Sequence, residues 1–473
     1  MNREAGNGHS RYKTKFHETN RTKYYPMQRR DFLKTGTMAG VGAGLTFLNF
    51  PVFGQQAPGN KVVLGVMGVN SRGNWLAQVA AKLPGAEIAY ICDVEDGAIR
   101  KGLKAVADAG AKRKPEVIKD VRKLLERKDL DALIVAAPDH WHAPAAIMAC
   151  AAGKHVYVEK PCSHNPQEGE LLVAAARKYK RLVQMGNQRR SWPNLQQAVK
   201  EVQEQDIIGK VYYARGWYVN SRKPIGIGKK VPVPSTLDWD LWQGPAPRKD
   251  YLDNIVHYDW HWRWHWGTGE VCNNATHELD CMRWFMDVKF PTKVTSFGGR
   301  YAYPPDDWET PDTQTVNFEF EGGRSISWEG RSCHPYELEG SGRGFTLFGE
   351  KGSLYNAGGD SYKIYDNKGK LVKEVKQQER DPGQSVTNVV SPAGEFLDAI
   401  HINNFLDSIR GKATLNSEIE IGHTSVMLCH LGNIAQRAGR VLHCDPSNGH
   451  IRNDADAARL WGRSYEKGWE PEI

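Results

Sequence analysis

From residue 61 onward, short apolar runs alternate with amphipathic stretches, a pattern that predicts consecutive strand–helix–strand units. Residues 61–66 read as a buried strand, 68–73 as a glycine-containing turn and 74–83 as a helix closed by Pro84-Gly85. Residues 87–91 form the next strand, with Asp93 just beyond it. The alternation continues with strands at 132–136, 155–158 and 181–184 and helices at 143–152 and 166–179. Crossovers of this length require parallel pairing, so residues 58–186 are expected to form a Rossmann-type parallel sheet. The period then changes. Residues 211–218, 293–298, 313–320 and 325–329 read as strands of a second α/β domain, on an open, mostly antiparallel sheet, spanning 187–473. Residues 224–234 read as a loop or lid, and 357–392 as a polar, flexible region with strand-like pieces. Residues 395–410 and 418–440 read as amphipathic helices of structural character.

In a parallel α/β sheet, ligands bind beyond the carboxyl ends of the strands. Residues 68–73, 136–142 and Glu159-Lys160-Pro161 all fall at such ends. In the first of them, Gly68 and Gly73 permit a tight turn and close packing, and backbone N–H groups at the helix start can cradle a pyrophosphate. Asp93 follows Gly73 by 20 residues, where a carboxylate accepts from ribose hydroxyls and repels a 2′-phosphate. The implied cofactor is NAD rather than NADP. The middle glycine of the usual fingerprint is Asn70, a residue that tolerates left-handed backbone. Cofactor contacts are expected from Gly68, Asn70, Ser71, Arg72, Gly73 and Asp93, and from Pro138, His142, Glu159, Lys160 and Asn187 at the later strand ends.

Charge adds a separate feature. The net charge is +8, but residues 1–34 hold nine Lys or Arg against three Asp or Glu, so that stretch contributes six of the eight charges. No basic face remains to argue for nucleic acid. The segment Gln28-Arg29-Arg30-Asp31-Phe32-Leu33-Lys34, followed by a weakly apolar stretch, resembles a twin-arginine export signal. Residues 1–57 are therefore expected to be a leader read by the twin-arginine machinery, and the protein to be periplasmic, with no stable membrane insertion. The eight cysteines show no ligand spacing and read as reduced, buried thiols.

Several blocks carry a specific resemblance: 132–161 ending in Glu-Lys-Pro, QMGNQRR at 184–190, WDLWQGPAP at 239–247, GTGEVCNNATHELDCMRW at 267–284, and 421–446. Across residues 60–465 the chain resembles the Gfo/Idh/MocA oxidoreductase family. That resemblance implies that Lys160 lies beside the nicotinamide and the reacting hydroxyl, with a cis bond to Pro161. It also implies a catalytic histidine at His277. The family's aspartate position holds Asn273, which can orient a hydroxyl but cannot take its proton. Residues 273 and 277 are expected on one helical face, with proton transfer given to His277 and Lys160.

Residues 257–266 carry four tryptophans and three histidines just before this block, and aromatic faces there suit a sugar ring. Substrate contacts are expected from Tyr258, Trp264 and Trp266, and by family position from Arg189 and Asp280. A metal site on His257, His261 and His265 would need a helix through this segment, and none is expected. The resemblance implies a homodimer or homotetramer. It also implies chemistries that share one first step, hydride removal from a sugar carbon. Oxidoreduction of a sugar or glycoside is preferred. Net hydrolysis through oxidation, elimination, hydration and reduction, as in NAD-dependent α-N-acetylgalactosaminidases, is the alternative. A non-catalytic NAD-binding protein is the third reading.

Overall fold

The computed structural model describes residues 61–377 and 395–473. The expected leader, with Arg29 and Arg30, lies outside the described residues.

Six strands, β1 (Val62–Met67), β2 (Ala86–Cys92), β3 (Glu116–Val117), β4 (Ala132–Val135), β5 (His155–Val158) and β6 (Val183–Met185), form one sheet in the order β3-β2-β1-β4-β5-β6. Every pairing is parallel. This is the doubly wound Rossmann order, with its switch point between β1 and β4. Strand β4 is buried along its whole length, as β5 is, because helices cover both faces. Those helices are α1 (Arg72–Ala81), α2 (Asp96–Asp108), α3 (Val121–Leu125), α4 (Asp139–Ala151) and α5 (Pro166–Lys178).

Helix α2 was not foreseen. It buries Ala98, Ile99, Gly102, Ala105 and Val106 on one face, and Glu95 caps its start by accepting from Ala98 N. Helix α4 begins four residues before the expected start at 143, so Asp139 and His142 stand in its first turn. Pro144 lies inside it and has no N–H to give the His140 carbonyl. Arg463 Nη2 donates to that carbonyl instead, at 2.6 Å.

Helix α6 (Pro193–Gln203) leads into the second sheet, whose strands are β7 (Val211–Val219), β8 (Lys293–Gly299), β9 (Thr313–Phe320), β10 (Arg324–Arg331), β11 (Arg343–Gly349), β12 (Gly352–Asn356), β13 (Tyr362–Asp366), β14 (Leu371–Val375) and β15 (Leu442–His443). Their order is β14-β13-β12-β11-β7-β10-β9-β8-β15. Only the β7–β10 pairing is parallel. Strand β9 alternates buried and open positions, as a sheet with one covered face requires. Helix α7 (Trp239–Gln243) follows β7, and α8 (Thr276–Met286) packs against the covered face. Residues 224–234 form no helix, and Gly228 N and Lys229 N donate to Asp307 and Asp253. Strands β13 and β14 occupy part of the polar stretch 357–392, and residues 378–394 lie outside the description.

Two late helices return to the core. Ile402, Phe405 and Leu406 of α9 (Glu395–Ile409) join the apolar cluster of β1 and α1. Helix α10 (Ile419–Ala438) is buried nearly all round, and Gly439 ends it in left-handed geometry at φ 65°. Among the described residues no helix is long and apolar enough to cross a membrane. All eight cysteines are free, and seven are buried.

Candidate functional site

A cleft of about 670 Å³ runs from the first turn of the Rossmann sheet past β5 to the ends of β7 and β11. This volume lies within the usual range for small-molecule sites, about 300–1,000 Å³. Gly68, Asn70, Ser71 and Arg72 line one end. Gly68 has φ 82°, and a Cβ there would meet the backbone N of Ala137 at 2.6 Å. A Cβ on Gly73 would come within 1.8 Å of the Gly68 carbonyl oxygen. The two glycines thus let the turn lie flat on β4. Ser71 precedes α1 without a capping side-chain bond, so the first N–H groups of that helix stay available to an anion. This arrangement fits a dinucleotide pyrophosphate.

Asp93 also lines the cleft and accepts from the backbone of Val69, Val94 and Glu95, which ties the ends of β1 and β2 together. Burial nevertheless pushes its carboxyl above the ordinary range. Arg72 has a different role from the one expected. Its Nε donates to Glu159 at 2.8 Å, and its Nη atoms donate to both oxygens of Asp398 at 2.7 and 2.9 Å. All three guanidinium nitrogens are therefore occupied by carboxylates, which leaves Arg72 as a tie between α1, β5 and α9. Burial works against the Glu159 charge, but Arg72 and Lys160 outweigh it and hold the carboxyl low.

At the centre, Lys160 Nζ donates to the backbone oxygen of Asn273 at 2.6 Å and to its Oδ1 at 3.0 Å. The Lys160–Pro161 bond is cis. Burial lowers the lysine pKa, opposed by Glu159 and Asp139. Asp139 accepts from Thr268 Oγ1 at 2.5 Å, and burial raises its pKa. Both ring nitrogens of His142 lie against carbonyls, Pro161 at 2.6 Å and Ala137 at 2.7 Å. His277 lines the same cleft, and its Nδ1 has no hydrogen-bond partner among the described residues. Burial, with Arg343, Arg189 and Lys160 adding to it, holds His277 far below the ordinary imidazole value, so its ring is neutral.

Residues 273 and 277 do not share an α-helical face. Residues Val271–Ala275 form a π-helical turn, and α8 starts after it. Thr276 Oγ1 donates to the Cys272 carbonyl at 2.6 Å and helps hold this wider turn. It brings the backbone oxygen and side-chain oxygen of Asn273 to the same lysine. Local widening of this kind recurs at functional sites.

The chain is matched in three blocks by family models: "Oxidoreductase family, NAD-binding Rossmann fold" over residues 62–187, "GFO/IDH/MocA C-terminal domain" over 196–355, and "Oxidoreductase family, C-terminal alpha/beta domain" over 352–471. The chain belongs to the Gfo/Idh/MocA family of oxidoreductases. Its dinucleotide is NAD, carried on the Rossmann domain. A glycosyl hydrolase family 109 protein of Saccharopolyspora erythraea is 30% identical over 43% of this chain and 48% of its own length. The match thus spans about half of that relative. An inositol 2-dehydrogenase of Rubrobacter xylanophilus is 25% identical over 62% of this chain and 71% of its own. Among solved structures, levoglucosan dehydrogenase with NADH and levoglucosan superposes with a TM-score of 0.61 at 17% identity, covering 81% of this chain and 99% of that one. The WlbA dehydrogenase of Bordetella pertussis with NADH and UDP-GlcNAcA gives 0.58 at 20% identity, covering 81% and 99%.

In this family member the cleft gathers Gly68, Asn70, Ser71, Arg72, Asp93, Pro138, His142, Glu159, Lys160, Tyr258, Asn273 and His277 of the residues expected from sequence. It does not gather Gly73, Asn187, Arg189, Trp264, Trp266 or Asp280. Asn187 is buried, and its neighbour Gln188 lines the cleft. Arg189 pairs with Glu278 at 3.1 Å. Asp280 accepts from Arg190 and Ser425. Trp266 packs with Trp239 and Trp242, and Arg437 covers Trp264. Residues 257–266 form turns and a short 3-10 segment, so His257, His261 and His265 have no helical alignment. His257, Tyr258, Trp260 and His261 face the cleft.

Sequence reading missed Tyr218, Arg222, Glu270 and Arg343. Arg222 donates to Glu270 at 2.7 Å and to the Tyr258 hydroxyl at 2.9 Å. Arg222 follows β7 and Arg343 opens β11, two strands that pair with Arg343 opposite Tyr218. The position of residue 222, just past an expected strand, was the one signal available.

Proposed function

We propose that this enzyme oxidises a hydroxyl-bearing carbon of a sugar or glycoside. The observation that carries the reading is Lys160, its amine fixed by both oxygens of Asn273 in one cleft with His277 and the glycine turn. When bound, NAD supplies the hydride acceptor. Two of the Lys160 donors are committed to Asn273, and burial favours its neutral form, whose lone pair takes the hydroxyl proton. With an amide in place of a carboxylate at 273, nothing there competes for that proton. The neutral His277 accepts or donates a hydrogen bond to a sugar hydroxyl. A charged imidazolium beside Arg343 and Lys160 is strongly disfavoured, so Lys160 is the base. Tyr258 and Trp260 supply aromatic surface to the ring.

The test is to load purified protein with NAD, present a panel of sugars and glycosides, and follow reduced nicotinamide together with product mass. Formation of a keto-sugar with reduced cofactor is expected. Protein that binds neither NAD nor NADP, or NAD-loaded protein that reduces nothing in the panel, overturns the reading.

The similarity to glycosyl hydrolase family 109 proteins supports a second outcome, net hydrolysis after the same oxidation. Aglycone release without accumulated keto-sugar would identify it. The Arg29-Arg30 segment supports export to the periplasm by the twin-arginine route, which replacing both arginines by lysine and fractionating the cells would test. The uncovered face of the nine-stranded sheet, where Tyr212 and Phe297 are exposed, is the surface proposed for self-association into a dimer or tetramer.

A further inference from the structure

The charge around Arg343 does not close on itself. Arg343 Nε and Nη2 both donate to Glu278 Oε1, at 3.0 and 2.9 Å, and Nη2 also reaches the Asn274 carbonyl at 3.5 Å. The same oxygen is paired with Arg189 at 3.1 Å. One buried carboxylate thus serves two guanidinium groups. Arg189 is enclosed, whereas Arg343 lines the cleft. Its Nη1 donates to no described residue. The guanidinium lies 5.2 Å from the centre of the Tyr218 ring, which fixes its plane.

The other cleft arginines differ. Arg222 is matched by Glu270 and by the hydroxyl of Tyr258, and Arg72 by Glu159 and Asp398. Among the described arginines of the cleft, Arg343 is therefore the one left under-neutralised where substrate would lie. His277, one of the histidines lining the cleft, senses this field. After burial, the groups that depress His277 most are Arg343, Arg189 and Lys160. A guanidinium with open N–H donors facing the cleft selects for a carboxylate, because the charge-assisted bond is roughly twice as strong as a neutral one.

We infer that the substrate is a sugar acid, whose carboxylate is bound by Arg343 while a neighbouring carbinol faces Lys160. This rests on the proposed oxidation for the second half of the statement. The anion site stands on Arg343, Arg189 and Glu278 alone.

The test uses NAD-loaded protein and matched probes: D-glucuronate, D-glucose and glucose 6-phosphate. Binding is read by calorimetry and turnover by reduced nicotinamide. D-glucuronate should bind on the order of 10- to 100-fold tighter than D-glucose. The preference should vanish in Arg343→Gln and return only in part in Arg343→Lys, which keeps charge and loses the fork. Arg343→Gln leaves Glu278 paired with Arg189, so the variant retains a partner for that buried carboxylate. Its thermal unfolding and NAD affinity report whether it is folded. Equal binding of the acid and the neutral sugar overturns the inference, as does a preference that survives in a folded Arg343→Gln. Tighter binding of glucose 6-phosphate than of glucuronate overturns the choice of a carboxylate. Glucuronate that binds through Arg343 but never reduces NAD would count against the proposed oxidation and leave the anion site standing. Turnover of neutral sugars without discrimination would do the reverse.

Discussion

Replacing Asp398 by alanine tests whether α9 holds the cofactor end of the cleft in place. The substitution removes the acceptor of two Arg72 hydrogen bonds, at 2.7 and 2.9 Å, and of one from Trp75 Nε1 at 2.8 Å. The Asp398 side chain is 1% exposed, so water does not take its place. Charge-assisted bonds contribute about 1.5–3 kcal/mol each. Arg72 keeps Glu159 as a counter-ion, which holds the total near the ~3–5 kcal/mol typical of a broken buried pair. Asp398→Asn keeps the size and one of the two acceptor oxygens but loses the charge and the second acceptor, and should cost about 1–3 kcal/mol.

Urea unfolding at fixed pH measures both, with the slope unchanged and only the midpoint moved. NAD affinity should fall about tenfold in the alanine variant, equivalent to ~1.4 kcal/mol. The reason is that Arg72 is the first residue of α1 and its other partner, Glu159, adjoins Lys160. A loss below about 1 kcal/mol, the level of an exposed ion pair, together with unchanged NAD affinity, would refute the reasoning.

Asn273→Asp sets a carboxylate against the Lys160 amine and should raise its pKa by about 1–3 units. The active form is the neutral amine, so the rising limb of kcat/KM must move to higher pH by the same amount, and an unmoved limb removes Lys160 as the base. Lys160→Met should lower kcat by roughly 10²–10⁴ while NAD still binds, which single-turnover kinetics and cofactor titration separate. Gly73→Ala drives a Cβ into the Gly68 carbonyl and should abolish dinucleotide binding, whereas normal NAD titration would show that the turn is not the cradle.

Acid stability should follow the buried histidines. Burial lowers His155, His401 and His423 to about 4 and His430 to about 3. The unfolded chain binds their protons first, so stability is complete above the ordinary value of about 6.5 and falls as pH drops towards 3–4. Each group adds a slope of up to ~1.4 kcal/mol per pH unit. A urea midpoint that stays flat between about pH 6.5 and 4.5 contradicts this.

Local pattern determined much of the enzyme. The continuous apolar runs at 132–136 and 155–158 are strands buried on both faces, and the alternation at 313–320 is a sheet with one covered face; both periods are properties of a few neighbouring residues. Glycines at 68 and 73 and the lysine before Pro161 were legible because a turn and a strand end are local too. Tertiary structure decided the rest. Arg72 was expected among the cofactor contacts, but Asp398, 326 residues away, takes up its guanidinium. Trp264 and Trp266 looked like sugar platforms, but Arg437 and the indoles of 239 and 242 cover them. Arg222 and Arg343 meet at the cleft because β7 and β11 are neighbours in the sheet. A sequence states which side chains can bear charge or stack. Which partner each one finds depends on long-range packing, where the desolvation of one group is offset only by the particular neighbour the fold delivers.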